Sequence, residues 1–128
     1  MKTKVIFTLA AVIYLIRGVG LLASPAALYG FYGTSLDAVG VWSSHFMGAT
    51  MIFIGLINWV ASRNAGNPLL RGILIADIVF ELIGTSVACA GAKLFNSMLW
   101  VAVGMDTLLL VLFIYLFISG TEKSGRPA

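Results

Sequence analysis

Raw material for chemistry is scarce in this chain, which holds one cysteine, one histidine and five acidic residues among 128. The lone Cys89 excludes an intrachain disulfide and any zinc or iron–sulfur site built from cysteines alone. In an apolar segment such a thiol reads as a small packing residue. The lone His45 excludes bis-histidine haem ligation, and the sequence offers it no tight cluster of further ligands, so no resident metal is expected. Ser43-Ser44-His45 places serines beside the histidine without the spacing of a Ser-His-Asp triad, and no catalytic residue is assigned. Charge is scarce too: 10% of the residues are charged and the net charge is +3. The basic residues stand near the ends of apolar runs and form no patch, which excludes nucleic acid as a partner. Neither a fixed-period repeat nor a low-complexity tract breaks the chain, so one domain over residues 1–128 is expected.

What is abundant is apolar surface. Hydrophobic residues make up 60% of the chain, and the mean hydropathy is +1.03. A soluble domain is about half apolar and a quarter charged. The composition therefore predicts an all-α integral membrane protein. Four apolar runs, at residues 5–23, 39–61, 69–91 and 98–119, each have the ~20 residues needed to cross a ~30 Å hydrocarbon layer as a helix. Between them, Asn67-Pro68 reads as an N-cap with proline at the first helical position, and Gly120 as a stop for the last helix. Ser24-Pro25 opens SPAALYGFYG, whose Tyr29, Phe31 and Tyr32 suit an aromatic belt or a short interfacial helix. Trp42, Trp59 and Trp100 fall at run ends as interfacial anchors.

Orientation follows from the basic residues. Lys2, Lys4, Arg63, Arg71, Lys123 and Arg126 flank the runs on one side, with Lys93 opposite. The positive-inside rule then places both termini in the cytoplasm and predicts an up-down-up-down bundle in a bacterial-type inner or plasma membrane. The opening MKTKVIFTLAAVIYLI also has the basic start and apolar centre of a secretory signal, with Ser24-Pro25-Ala26 as a small-residue cleavage site. Arg17 inside that segment and an apolar length suited to a full crossing favour its retention.

The informative residues are the polar ones within the runs: Arg17, His45, Asp77, Glu81 and Asp106. An insertion scale charges ~2.5 to 3.5 kcal/mol for an acid at a helix centre and credits ~0.3 to 0.6 per Leu, Ile, Phe or Val. Nine such residues between Ile73 and Val87 return roughly 4 kcal/mol, against roughly 6 for Asp77 and Glu81. The third run needs polar partners. Counted along the helices, Arg17 lies ~18 Å from the inner edge, Glu81 ~15 to 18 Å, and Asp106 ~12 Å from the outer edge. Depth therefore predicts Arg17 bridging Glu81 and also within reach of Asp106. Asp77 and Glu81, four residues apart, share a helix face that Gly84 and Ala88 continue. Ser44-xxx-Gly48 and Gly84-xxx-Ala88 carry the small-residue spacing of close helix contacts, with Gly18, Gly20 and Gly104 as further candidates. One arginine cannot neutralise three carboxylates, so a surplus acid is expected.

The segments RGVGLLASPAALYGFYG and HFMGATMIFIGLINWVASR resemble small four-helix membrane proteins near the DoxX-like group. The resemblance covers most of the chain in length and helix placement. Some DoxX-like proteins are linked to quinone-dependent redox complexes, so it implies an accessory, scaffold or lipid- or quinone-contacting subunit. That subunit would sit in the bilayer as a homo-oligomer or within a larger complex. A quinone or lipid would be held between helices, with His45 or Arg17 donating a hydrogen bond. The resemblance transfers no catalytic residue. The competing expectation is a small proton-coupled transporter with Glu81 as its titrating group.

Overall fold

The structure, a computed structural model, describes residues 1–120. Lys123 and Arg126, used above for orientation, lie outside the described residues. Among the described residues every regular element is helical: α1 (Lys2–Ala23), α2 (Pro25–Phe31), α3 (Ala38–Arg63), α4 (Leu70–Ala90), a 3-10 turn (Ala92–Leu94) and α5 (Leu99–Ser119). The four long helices, α1, α3, α4 and α5, are each long and apolar enough to cross a membrane. Each helix satisfies its own backbone hydrogen bonds, the requirement that hydrocarbon imposes on a spanning segment.

The helix ends follow local chemistry. Pro25 sits in the first turn of α2, where its missing N–H costs nothing. The Asp37 carboxylate accepts from Gly40 N at 2.7 Å and caps α3. At α4 the expected start needs correction, because the helix begins at Leu70 and not directly at Pro68. Asn67 still caps the turn, with its Oδ1 accepting from Leu69 N at 2.9 Å. Gly120 ends α5 at φ +75°, a conformation that favours glycine.

The outer surface is apolar, and polar side chains are buried beside an apolar core. Phe46, Phe53, Ile83 and Ile118 are among its exposed large side chains, whereas Thr3, Ser44, Asn58, Ser62, Asp77, Glu81 and Asp106 are all buried. That distribution suits a lipid surround. The apolar core gathers Phe7, Ala10 and Tyr14 of α1, Ala61 of α3, Leu70 and Leu74 of α4, and Leu109, Phe113 and Leu116 of α5.

Helix α1 packs most extensively against α3, and α4 against α5. The α1–α3 seam is a backbone contact. A Cβ on Gly18 would lie 2.8 Å from the Gly48 carbonyl oxygen, and one on Gly48 would lie 2.9 Å from that of Gly18. Further along, a Cβ on Gly55 would meet Leu15 Cγ at 2.8 Å. Numbers fall along α3 as they rise along α1, so the two helices run antiparallel. Across α1 and α5, Phe7 meets Phe113 with centroids 6.3 Å apart. Between α3 and α4 the contact is sparse.

The expected packing role of Gly84 and Ala88 is corrected in part. Gly84 is exposed, with nothing within 4 Å of a Cβ placed there, while Ala88 is half-buried. Gly20 and Gly104 are equally open to added bulk. Gly84 and Ala88 keep to the helix face of Asp77 and Glu81, but no neighbouring helix comes close enough at that level to meet a Cβ on Gly84. Gly48 and Gly18 do form a seam.

Candidate functional site

Four helices, α1, α3, α4 and α5, deliver carboxylates or their donors to the interior, and the structure sorts them into three pairs. Arg17 on α1 forms an ion pair with Asp106 on α5 through Nη1 and Oδ1, and Nη2 lies 3.4 Å from Oδ2. The fork of the guanidinium against both carboxylate oxygens gives this pair its directionality. The Asp106 side chain is 11% exposed and that of Arg17 is 25% exposed, so the pair sits at the edge of the interior.

The depth-based expectation that Arg17 bridges Glu81 is corrected here. Glu81 is 2% exposed and takes its hydrogen bond from the Tyr14 hydroxyl to Oε1. Tyr14 lies three residues before Arg17, nearly one helical turn, on the same side of α1. Its rigid ring, edge-on to Phe80 at 5.9 Å, directs the hydroxyl to the α4 carboxylate, and Arg17 reaches α5 instead. Depth placed Arg17, Glu81 and Asp106 at one level, whereas helix rotation decided which of them meet.

Asp77, the acid without an obvious partner in sequence, receives one from α3. Asn58 Nδ2 donates to Asp77 Oδ1 at 3.1 Å and to the Ile54 carbonyl at 3.1 Å. The contact is incomplete. Asn58 Oδ1 and Asp77 Oδ2 are both buried without a hydrogen-bond partner. Asp77 also lines a cleft of about 420 Å³ between α3 and α4, walled by Phe53, Ile57, Ile73 and Phe80. Arg71, the nearest basic residue in sequence on α4, is turned onto the Phe117 ring of α5 at 5.1 Å.

His45 does not join this network. It is half-buried on α3 and has no hydrogen bond or ion pair to these acids among the described residues. Arg17, Asp77, Glu81 and Asp106 are thus all drawn into the interior, in separate pairs. Among the described residues, no three of His, Cys, Asp and Glu are placed to hold a metal ion.

Tyr14 and Asn58 were missed by a reading that scored only charged side chains and histidine. Both were visible as uncharged polar groups inside long apolar runs, where a hydrogen-bonding side chain is costly unless paired. Gly55, seven residues beyond Gly48 and so on its face, was likewise legible as an extension of the seam.

The arrangement can hold helices in register through α1–α5, α1–α4 and α3–α4 contacts, and it leaves one carboxylate oxygen beside an apolar cleft. No family model, no curated protein and no solved structure matches this chain.

Proposed function

We propose that this chain is a small multi-pass membrane protein that acts as an accessory, scaffold or lipid- or quinone-contacting subunit and is not itself an enzyme. In this reading α1, α3, α4 and α5 form an up-down-up-down bundle with both termini cytoplasmic, in a bacterial-type inner or plasma membrane. The observation that carries it is where the intramembrane polar groups are directed. Arg17, Asp106, Tyr14, Glu81, Asn58 and Asp77 are turned on one another across helices, so each helix pair they join is tied by a polar contact.

Supporting this, Lys2 lies over the Tyr115 ring at 5.6 Å and Arg71 over Phe117, which gathers basic residues at one end of α5. Arg63 stacks on Trp59 at 4.8 Å near the end of α3. Such cation and aromatic pairs suit a headgroup layer. The DoxX-like resemblance favours the accessory role. The transporter reading with Glu81 as titrating group has less behind it, because Glu81 is held by Tyr14 and lines neither the α3–α4 cleft nor the smaller one beside Asn64 and Asn67.

Native mass spectrometry from lipid nanodiscs tests the proposal, since it reports oligomer, retained lipid or quinone, and copurifying subunit together. The accessory role predicts at least one of these in stoichiometric amount. A strictly monomeric species free of ligand and partner would sink it.

A further inference from the structure

Asp77 is 4% exposed and Asn58 is fully buried, yet each keeps an acceptor oxygen without a donor. Buried acceptors are ordinarily paired, and two unpaired acceptors on contacting side chains call for a donor from elsewhere. The third such atom in the interior, Thr85 Oγ1, is two turns further along α4. Among the described residues, Arg17 is paired with Asp106, Arg71 lies over the Phe117 ring and Arg63 over the Trp59 ring. The spans hold three carboxylates and one guanidinium, and that guanidinium is paired with Asp106, so a cation beside Asp77 would complement the charge of the interior. The walls beside it are apolar and the space is about 420 Å³. That is room for roughly fourteen water volumes, inside the ~300 to 1,000 Å³ range of small-molecule sites.

We infer that the α3–α4 cleft binds a lipophilic ammonium compound, its N–H donated to the Asp77 carboxylate and its apolar body laid against Phe53, Ile57, Ile73 and Phe80. The ligand supplies both the donor and the charge that the interior lacks. Gly72 lines the same cleft, and a Cβ there would meet nothing within 4 Å. A larger side chain at this position therefore starts in open space at the cleft and competes with the ligand for it. The inference needs a bilayer around the helices, as in the reading above, but it does not depend on an accessory role.

The test is equilibrium binding of 4-phenylbutylammonium to the full chain in phosphatidylcholine nanodiscs, whose headgroup has no N–H to compete, with empty nanodiscs subtracted. Saturable binding is expected. Asp77→Asn and Gly72→Leu should each weaken it about tenfold or more, the scale of losing a charge-assisted hydrogen bond or the ligand's space. Gly104→Leu, which adds the same bulk in open space on α5, should leave it unchanged. The neutral analogue 4-phenylbutan-1-ol should bind more weakly. Uptake no greater than in empty discs, or binding that Gly72→Leu leaves intact, would overturn the site. An alcohol that binds as tightly as the ammonium would overturn the assignment of charge. Should Asp77→Asn fail to fold, Gly72→Leu and the alcohol still decide. Failure here leaves the mass-spectrometric test of oligomer and partner unaffected.

Discussion

Helix α3 presents two faces that behave in opposite ways. Toward α1 it offers Gly48 and Gly55, and the backbones close until a single added carbon would collide. Toward α4 it offers Phe53, Ile54 and Ile57, and the helices stand far enough apart to leave a cleft beside Asp77. In lipid no water drives helices together, so packing and polar contacts decide the distance. Small residues give the first face its closeness, and bulk with one polar contact gives the second its opening. Stability is therefore expected to concentrate on the α1 side of the molecule and adaptability on the α3–α4 side.

The contrast can be broken most forcefully at Arg17. Arg17→Met leaves Asp106 as a buried charge without its partner and should cost about 3 to 5 kcal/mol. The double variant Arg17→Met, Asp106→Leu should recover most of that loss. Reversible unfolding in mixed micelles followed by circular dichroism measures both. A smaller but substantial cost is expected at Gly48→Leu, which drives a side chain into the Gly18 carbonyl and the Leu21 and Leu22 side chains. About 2 to 3 kcal/mol is typical of such overpacking. If Gly48→Leu is harmless, the α1–α3 seam is not the rigid half of the protein.

Tyr14→Phe sharpens the comparison further, because it removes a hydroxyl and leaves Glu81 without its donor. The expected loss is about 1 to 3 kcal/mol in the same assay. At the far end of the scale stands Gly84→Leu. The position is exposed and open, so its effect should stay within about 0.5 kcal/mol. A large loss there would restore the Gly84-xxx-Ala88 contact expected from spacing alone.

The helices were legible because the signal is simple: long apolar runs with few charges, punctuated by Ser24-Pro25, Asn67-Pro68 and Gly120. The inward direction of Arg17, Asp77, Glu81 and Asp106 was legible too, since a charge in hydrocarbon has few alternatives. Their pairing was not. Depth counts residues along an axis, but the pairs depend on rotation about it. Glu81 went to Tyr14 and Arg17 to Asp106 through differences of a turn or less. The small-residue stripes show the same limit: Gly48 and Gly84 have equivalent spacing patterns, yet one meets a backbone and the other meets nothing in the protein. Which stripe closes depends on the neighbouring helix, and a single helix sequence does not carry that.

Beneath these comparisons lies one claim: Glu81 and Asp106 are structural, and Asp77 is the acid left over. Unfolding free energies of Asp77→Asn, Glu81→Gln and Asp106→Asn, measured side by side in mixed micelles, test it most directly. The account predicts that Asp106→Asn and Glu81→Gln each lose about 1 to 3 kcal/mol, whereas Asp77→Asn stays within about 0.5 kcal/mol of the parent or gains stability, because it relieves a buried carboxylate that is only half satisfied. A loss at Asp77 as large as that at Asp106 would contradict it.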